Sequence, residues 1–184
     1  MTRKYPICVI GSLNVGKTSL INKAENDTFD PCVPTLTLDS HKIVENIDGN
    51  EIILEVYDTA GQEAYTSLMP SFIKAMYCAI LCFDPTKPEC LNMVEKYEQR
   101  FLEFNNTYHE IIYVATKCDT WEELPQDVST FLKSHDVIST SAMRGDNVHE
   151  PFIRAAEFCS KKPPPEEEQP SIPKTVEKKS FCNL

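Results

Sequence analysis

The stretch GSLNVGKT, residues 11–18, constrains the fold more than any other part of the chain. It fits the pattern G-x-x-x-x-G-K-[ST], in which glycines let backbone N–H groups close around phosphate oxygens and a helix N-terminus adds a favourable dipole. That geometry works only between a strand and a helix. The sequence supplies both: the apolar run PICVI (6–10) leads in, and residues 17–24 follow as a helix. Lys17 is then placed to reach the β- and γ-phosphates, and the Thr18 hydroxyl to ligate Mg²⁺. The remaining phosphate contacts fall to Ser12, Leu13, Asn14, Val15, Gly16 and Ser19. Asn14 is tolerable because asparagine accepts unusual backbone angles.

The rest of the chain repeats the strand–helix alternation. Apolar runs occur at 51–57 (EIILEVY), 78–83 (CAILCF), 111–115 (IIYVA) and 137–140 (VIST). Several are apolar on consecutive positions, the mark of strands covered on both faces in a parallel sheet. HKIVENI and EIILEVY flank Asp48-Gly49-Asn50, a hairpin signal that makes one strand antiparallel. Helices are expected over 87–104, 125–134 and 147–160, the last with Val148, Phe152, Ala155, Ala156 and Cys159 on one stripe. The fold class is therefore α/β: a P-loop fold with a mostly parallel six-stranded sheet, one antiparallel strand, and helices on both faces.

A chain of 184 residues, 41% apolar, suits one domain with a sizeable core. Its net charge of −10 argues against nucleic-acid binding, which needs a basic surface. No stretch approaches ~18 consecutive apolar residues, and the N-terminal apolar run leads straight into the loop, which argues against a signal peptide. The eight cysteines then read as thiols in a reducing compartment, with Cys8, Cys78, Cys82 and Cys118 as small buried hydrophobes. There is no C-x-x-C pair to suggest zinc. From residue 161 the composition changes to five prolines, five lysines and four glutamates among few apolar residues. Residues 1–160 are expected to form the folded domain and 161–184 a flexible tail.

A second motif, DTAGQE (58–63), follows the strand EIILEVY. Asp58 at a strand's carboxyl end can hold Mg²⁺ through water. Gly61 can offer its N–H to a γ-phosphate, and the Gln62 amide can orient an attacking water. GxxxxGKT, DTAGQE, TKCD (116–119) and TSAM (140–143), in this order, resemble the Ras-type small GTPases, and the resemblance covers residues 5–160. Each motif falls just past an expected strand, where open α/β sheets bind ligands. The resemblance implies a GTP- and Mg²⁺-binding switch that hydrolyses GTP slowly, with Gln62 and Lys17 in the catalytic role. Asp119 would accept from guanine N1–H and the 2-amino group, an arrangement adenine lacks. Lys117 would lie along the base, Thr116 stands where the family more often has Asn, Ser141 belongs to the last motif, and the Ala142 N–H would meet guanine O6. Met143 replaces a common Lys.

In FDPCVPTLTLD (29–39), which resembles the family's first switch, Phe29 would pack against the base and Thr35 would add a hydroxyl to Mg²⁺, with Thr37 a rival. Leu13 stands where several such families carry Ser or Gly, facing the γ-phosphate and Gln62 by resemblance, so slow turnover is expected. DTAGQEAYTSLMPSFIKAMYCAILCFDPT tracks the Rab pattern, FDPT being close to a Rab YDVT. YTSLMP and TKCD are also similar to Rho, but only 21 residues separate Asp119 from Ser141, leaving no room for a Rho-type insertion. The reading is a divergent Rab-like regulator of membrane traffic, with a Rho-like signalling protein or a GTP-loaded scaffold of little turnover as alternatives. An ATP-using P-loop enzyme fits TKCD and TSAM less well. Effectors would read residues 30–40 and 59–75, together with exchange and GTPase-activating factors. The expected location is cytoplasmic, extending by resemblance to the cytoplasmic face of membranes, although Cys182 stands third from the end where a prenylation box needs it fourth.

Overall fold

The structure, a computed structural model, describes residues 3–29, 38–59, 69–105, 108 and 110–165. Strands are β1 (Arg3–Ile10), β2 (Asp39–Ile47), β3 (Asn50–Asp58), β4 (Cys78–Phe83), β5 (Glu110–Ala115) and β6 (Ile138–Ser139). Helices are α1 (Lys17–Asn26), α2 (Met69–Ala75), α3 (Cys90–Phe104), α4 (Gln126–Ser134) and α5 (Glu150–Ser160). The sheet order is β2-β3-β1-β4-β5-β6. Only β2 runs antiparallel, paired with β3 through the turn at Asp48 and Gly49.

The central strands are buried on both faces, as their unbroken apolar runs require. In β1, Tyr5, Ile7 and Val9 join Leu20, Ile21, Phe152 and Ala155 under α1 and α5, while Cys8 and Ile10 join Ile73, Val94, Phe101 and Val128 under α2, α3 and α4. Two cores thus sandwich one sheet. Fully burying a side chain such as Leu20 or Ile21 contributes about 1.5–3 kcal/mol, an upper estimate for a compact denatured chain.

Several boundaries differ from expectation. Helix α2 is not expected from the sequence: it has seven residues with Pro70 at its second position, too few to show a helical period. Helix α3 begins at Cys90 rather than 87, because Asp84–Lys87 and Lys87–Cys90 close separate backbone turns, with Lys87 N–H on Asp84 O at 3.1 Å. Helix α5 begins at Glu150 rather than 147, because Asn147 has φ 51°, a left-handed conformation no helix interior admits. Val148 is still buried, but from the loop. Cys8, Cys78 and Cys82 are buried thiols as expected; Cys118 is not, being only half-buried on its loop.

The chain stays attached to the sheet a little beyond residue 160. The Tyr5 hydroxyl donates to Lys162 O at 3.1 Å and the Tyr77 hydroxyl to Pro163 O at 2.9 Å, and the Tyr77 ring stacks on Tyr108.

Candidate functional site

The site lies along the carboxyl ends of β1, β3, β4, β5 and β6. Gly11 leaves β1 at φ 140°, and a Cβ there would stand 2.1 Å from Cys82 O, so the loop can pass β4 only as glycine. Asn14 at φ 60° and Gly16 at φ 103° complete the curl in left-handed conformations. Helix α1 starts at Lys17 with no side-chain cap on Gly16 and no acidic residue in its first turn. The positive end of that helix therefore meets no carboxylate of its own first turn.

Lys17 is 6% exposed, and its Nζ donates back across the loop to Gly11 O at 3.0 Å and Ser12 O at 2.9 Å. Burial pushes its pKa down; the nearby Cys82 and Asp58 oppose that. A desolvated ammonium with carbonyl partners, a helix N-terminus and a glycine-shaped curl together fit a polyphosphate. Ser12 and Ser19 are half-buried in the loop and α1, Val15 is buried, and Leu13 is 53% exposed. Leu13 borders a cavity of about 320 Å³ whose far wall is Met93, Val94 and Tyr97 of α3.

The two metal-ligand candidates within the described residues meet. Thr18 Oγ1 donates to Asp58 Oδ2 at 2.5 Å, and Asp58, the last residue of β3, is fully buried. Burial raises the Asp58 pKa, against the lowering pull of the Thr18 hydroxyl and Lys17. Thr59 fixes the chain beyond it by donating to Val9 O at 2.8 Å. A hydroxyl and a buried carboxylate are hard oxygen donors of the kind Mg²⁺ takes. Thr35, Thr37, Gly61 and Gln62 lie outside the described residues, as does Cys182 of the tail.

The other end of the site is built from three loops. Thr116 Oγ1 donates to Val15 O at 2.6 Å and Phe83 O at 3.0 Å, joining the β5 end to the phosphate loop and to β4. Trp121 Nε1 holds Thr116 O at 3.0 Å. Lys117, at φ 59°, sends its Nζ to Asn14 O at 2.8 Å and to Asp84 Oδ2 at 3.0 Å. Asp119 Oδ1 accepts from Ser141 Oγ at 2.5 Å, so the base-motif carboxylate is oriented by the TSAM loop. Ala142 is half-buried in that loop, while Met143 and Phe29 are exposed. Cys118 faces away into a small polar cluster: its Sγ lies 3.8 Å from Asp146 Oδ2 and 3.7 Å from Arg144 Nη2.

The sequence alone assigns no role to Asp84. It ends the FDPT stretch's approach to the site, is 3% exposed, and takes Thr86 N–H and Oγ1 on Oδ1 at 3.1 and 2.6 Å. Burial pushes its carboxyl up, but Thr86 and Lys117 hold it below its ordinary value. The only signal in the sequence was FDPT itself, and its meaning depends on a lysine 33 residues away.

A sequence profile of the Ras family matches residues 6–161. The chain is 26% identical over 159 residues to the Ras-related protein Rab-19 of Homo sapiens, covering 83% of this chain and 73% of that protein. It is 29% identical over 168 residues to Rab-12 of Mus musculus, with 88% and 69% covered. Rab-3B of Rattus norvegicus is 27% identical over 175 residues, with 91% and 80% covered.

Proposed function

Because the chain belongs to the Ras family of small GTPases, which bind guanine nucleotide and hydrolyse GTP, we propose that it is a Rab-like switch regulating membrane traffic. The observation that carries the switch is the Thr18–Asp58 contact beneath the Lys17 loop. A hydroxyl from α1 and a carboxylate from β3 that meet beside the Lys17 loop support a metal at the γ-phosphate end of the nucleotide. Bound Mg²⁺ supplies positive charge there. Lys17 neutralises charge developing on the phosphates; Gln62 orients the attacking water; Thr35, or its rival Thr37, and the Gly61 N–H respond to the γ-phosphate. The loop residues from Ser12 to Ser19 wrap the phosphates. Phe29, Thr116, Lys117, Asp119, Ser141, Ala142 and Met143 surround the base. Effectors and regulators read residues 30–40 and 59–75.

The Rab branch is supported by the Rab relatives above and by the short 119–141 spacing. Among the described residues no helix is long and apolar enough to cross a membrane. Fractionation of cells expressing the tagged chain tests this reading. The membrane-bound share should differ between the wild type and a Thr18→Asn variant that disfavours GTP; identical distributions would contradict a traffic role.

A second reading, a GTP-loaded scaffold with little turnover, is favoured by one observation: an exposed Leu13 at the loop's tip. A branched side chain beside the γ-phosphate would crowd the attacking water and obstruct an arginine finger, contacts worth orders of magnitude in rate. Leu13→Gly should raise the single-turnover hydrolysis rate by at least about tenfold. A wild type as fast as Leu13→Gly would mean that the side chain turns away, toward the α3 cavity.

A further inference from the structure

We infer that Asp84 is a positioning residue for the nucleotide: it anchors Lys117 against the phosphate loop, so that the base-reading and phosphate-binding loops hold or release nucleotide as one unit. This rests on the guanine-nucleotide reading of the site.

The geometry is a three-point relay. Lys117 Nζ sits between Asn14 O of the phosphate loop at 2.8 Å and Asp84 Oδ2 of the β4 end at 3.0 Å. Lysine has three donors on a flexible stem and by itself would not select this pose. Asp84 selects it, because its carboxylate is immobile: 3% exposed, with its other oxygen held by the Thr86 backbone and hydroxyl. The Lys117 backbone is held in a left-handed conformation, and Thr116 beside it makes a second tie to the same loop through Val15 O. Asn14 and Val15 are thus gripped from outside by consecutive residues of the base motif. A nucleotide leaving the site must part from both loops, and the Asp84–Lys117–Asn14 link keeps them from opening one at a time. Leaving Asp84 buried without its cation, or Lys117 without its anchor, loosens both.

The test uses the full chain loaded with a fluorescent GDP and chased with excess unlabelled GDP at fixed Mg²⁺. Asp84→Asn and Asp84→Ser remove the charge while keeping a small polar side chain. Each should release GDP about tenfold faster than wild type, the scale of one lost hydrogen bond to a charged group at the low end of its range. Lys117→Ala should do the same or more. The decisive measurement is the double variant Asp84→Asn/Lys117→Ala: its release rate should equal that of Lys117→Ala alone, because both changes cut one link. Multiplied rates would show that Asp84 acts independently of Lys117 and would overturn the inference. So would wild-type release from a folded Asp84 variant. Unfolding of both Asp84 variants beside a folded, fast-releasing Lys117→Ala would make Asp84 merely structural and overturn it too. A wild type that fails to retain GDP at all would instead refute the nucleotide reading on which this rests.

Discussion

At the base end of the site, polar groups are held by the protein's own loops: Asp119 by Ser141, Lys117 by Asp84 and Asn14, Thr116 by Val15 and Phe83. At the phosphate end both opposite charges are buried, and burial opposes the charged form of each. Lys17 is 6% exposed with carbonyl partners, and Asp58 is fully buried with its pKa raised. The first arrangement is preorganised and reads identity, since a base that leaves Asp119 unmatched strands an oriented carboxylate. The second holds desolvated charge that, on the proposed reading, phosphates and a metal would relieve, giving affinity and sensitivity to the γ-phosphate. A change at the phosphate end should therefore lower affinity while leaving the preference among bases.

The largest expected effect lies at the phosphate end. Lys17→Ala should weaken both GDP and GTP by roughly a thousandfold, since several charge-assisted hydrogen bonds of about 1.5–3 kcal/mol each are lost. Calorimetric titration with each nucleotide checks it. Whatever binding remains should still prefer guanine over adenine; a loss of preference would mean that the two ends are not separable.

Thr18→Asn comes next. Removing the compact hydroxyl should weaken GTP about ten- to a hundredfold more than GDP, because on the proposed reading the γ-phosphate would lean on a metal held by Thr18. Equilibrium binding at saturating Mg²⁺ reads the ratio, and equal losses would point to misfolding instead.

The smallest effect concerns stability. Burial holds the folded-state pKa of Asp58 above its unfolded value, so ionising it opposes folding. That penalty is absent below the unfolded pKa, grows as pH rises toward the folded pKa, and is fully present above it. Asp58→Asn in nucleotide-free protein at neutral pH should leave the melting temperature unchanged or raise it by a few degrees, about what 1 kcal/mol gives for this size. The same variant should lose the Mg²⁺ dependence of GDP release. A large drop in melting temperature would show that Asp58 stabilises the empty site rather than straining it.

What was legible in the sequence follows the same division. Strands β1, β3, β4 and β5 announced themselves because both their faces are covered, and burial of consecutive positions leaves a continuous apolar run. The loops of the candidate site were legible as residue patterns at fixed spacing that belong to the Ras family, whose profile matches residues 6–161. Helix α2 was not, having seven residues and no period, and β6 survives as only two residues of the run VIST. Asp84 was invisible for a different reason: its meaning arises from the juxtaposition of β4's end with Lys117, and Lys117 in turn meets Asn14 across 103 residues. Local pattern carries no trace of such long-range ties.

The most direct test of the account is the base swap at Asp119. On the proposed reading, the carboxylate oriented by Ser141 is the group that would distinguish guanine. Asp119→Asn replaces one acceptor by a donor, which suits the C2 carbonyl of xanthine. Titrating wild type and Asp119→Asn with guanosine, xanthosine and adenosine diphosphates should show strong wild-type preference for guanosine diphosphate. The variant should lose guanosine diphosphate by about a hundredfold, two lost charge-assisted hydrogen bonds at the low end of their range, and bind xanthosine diphosphate better than the wild type does. A variant that keeps full guanosine diphosphate affinity, with no gain for xanthosine diphosphate, would contradict the account at its centre.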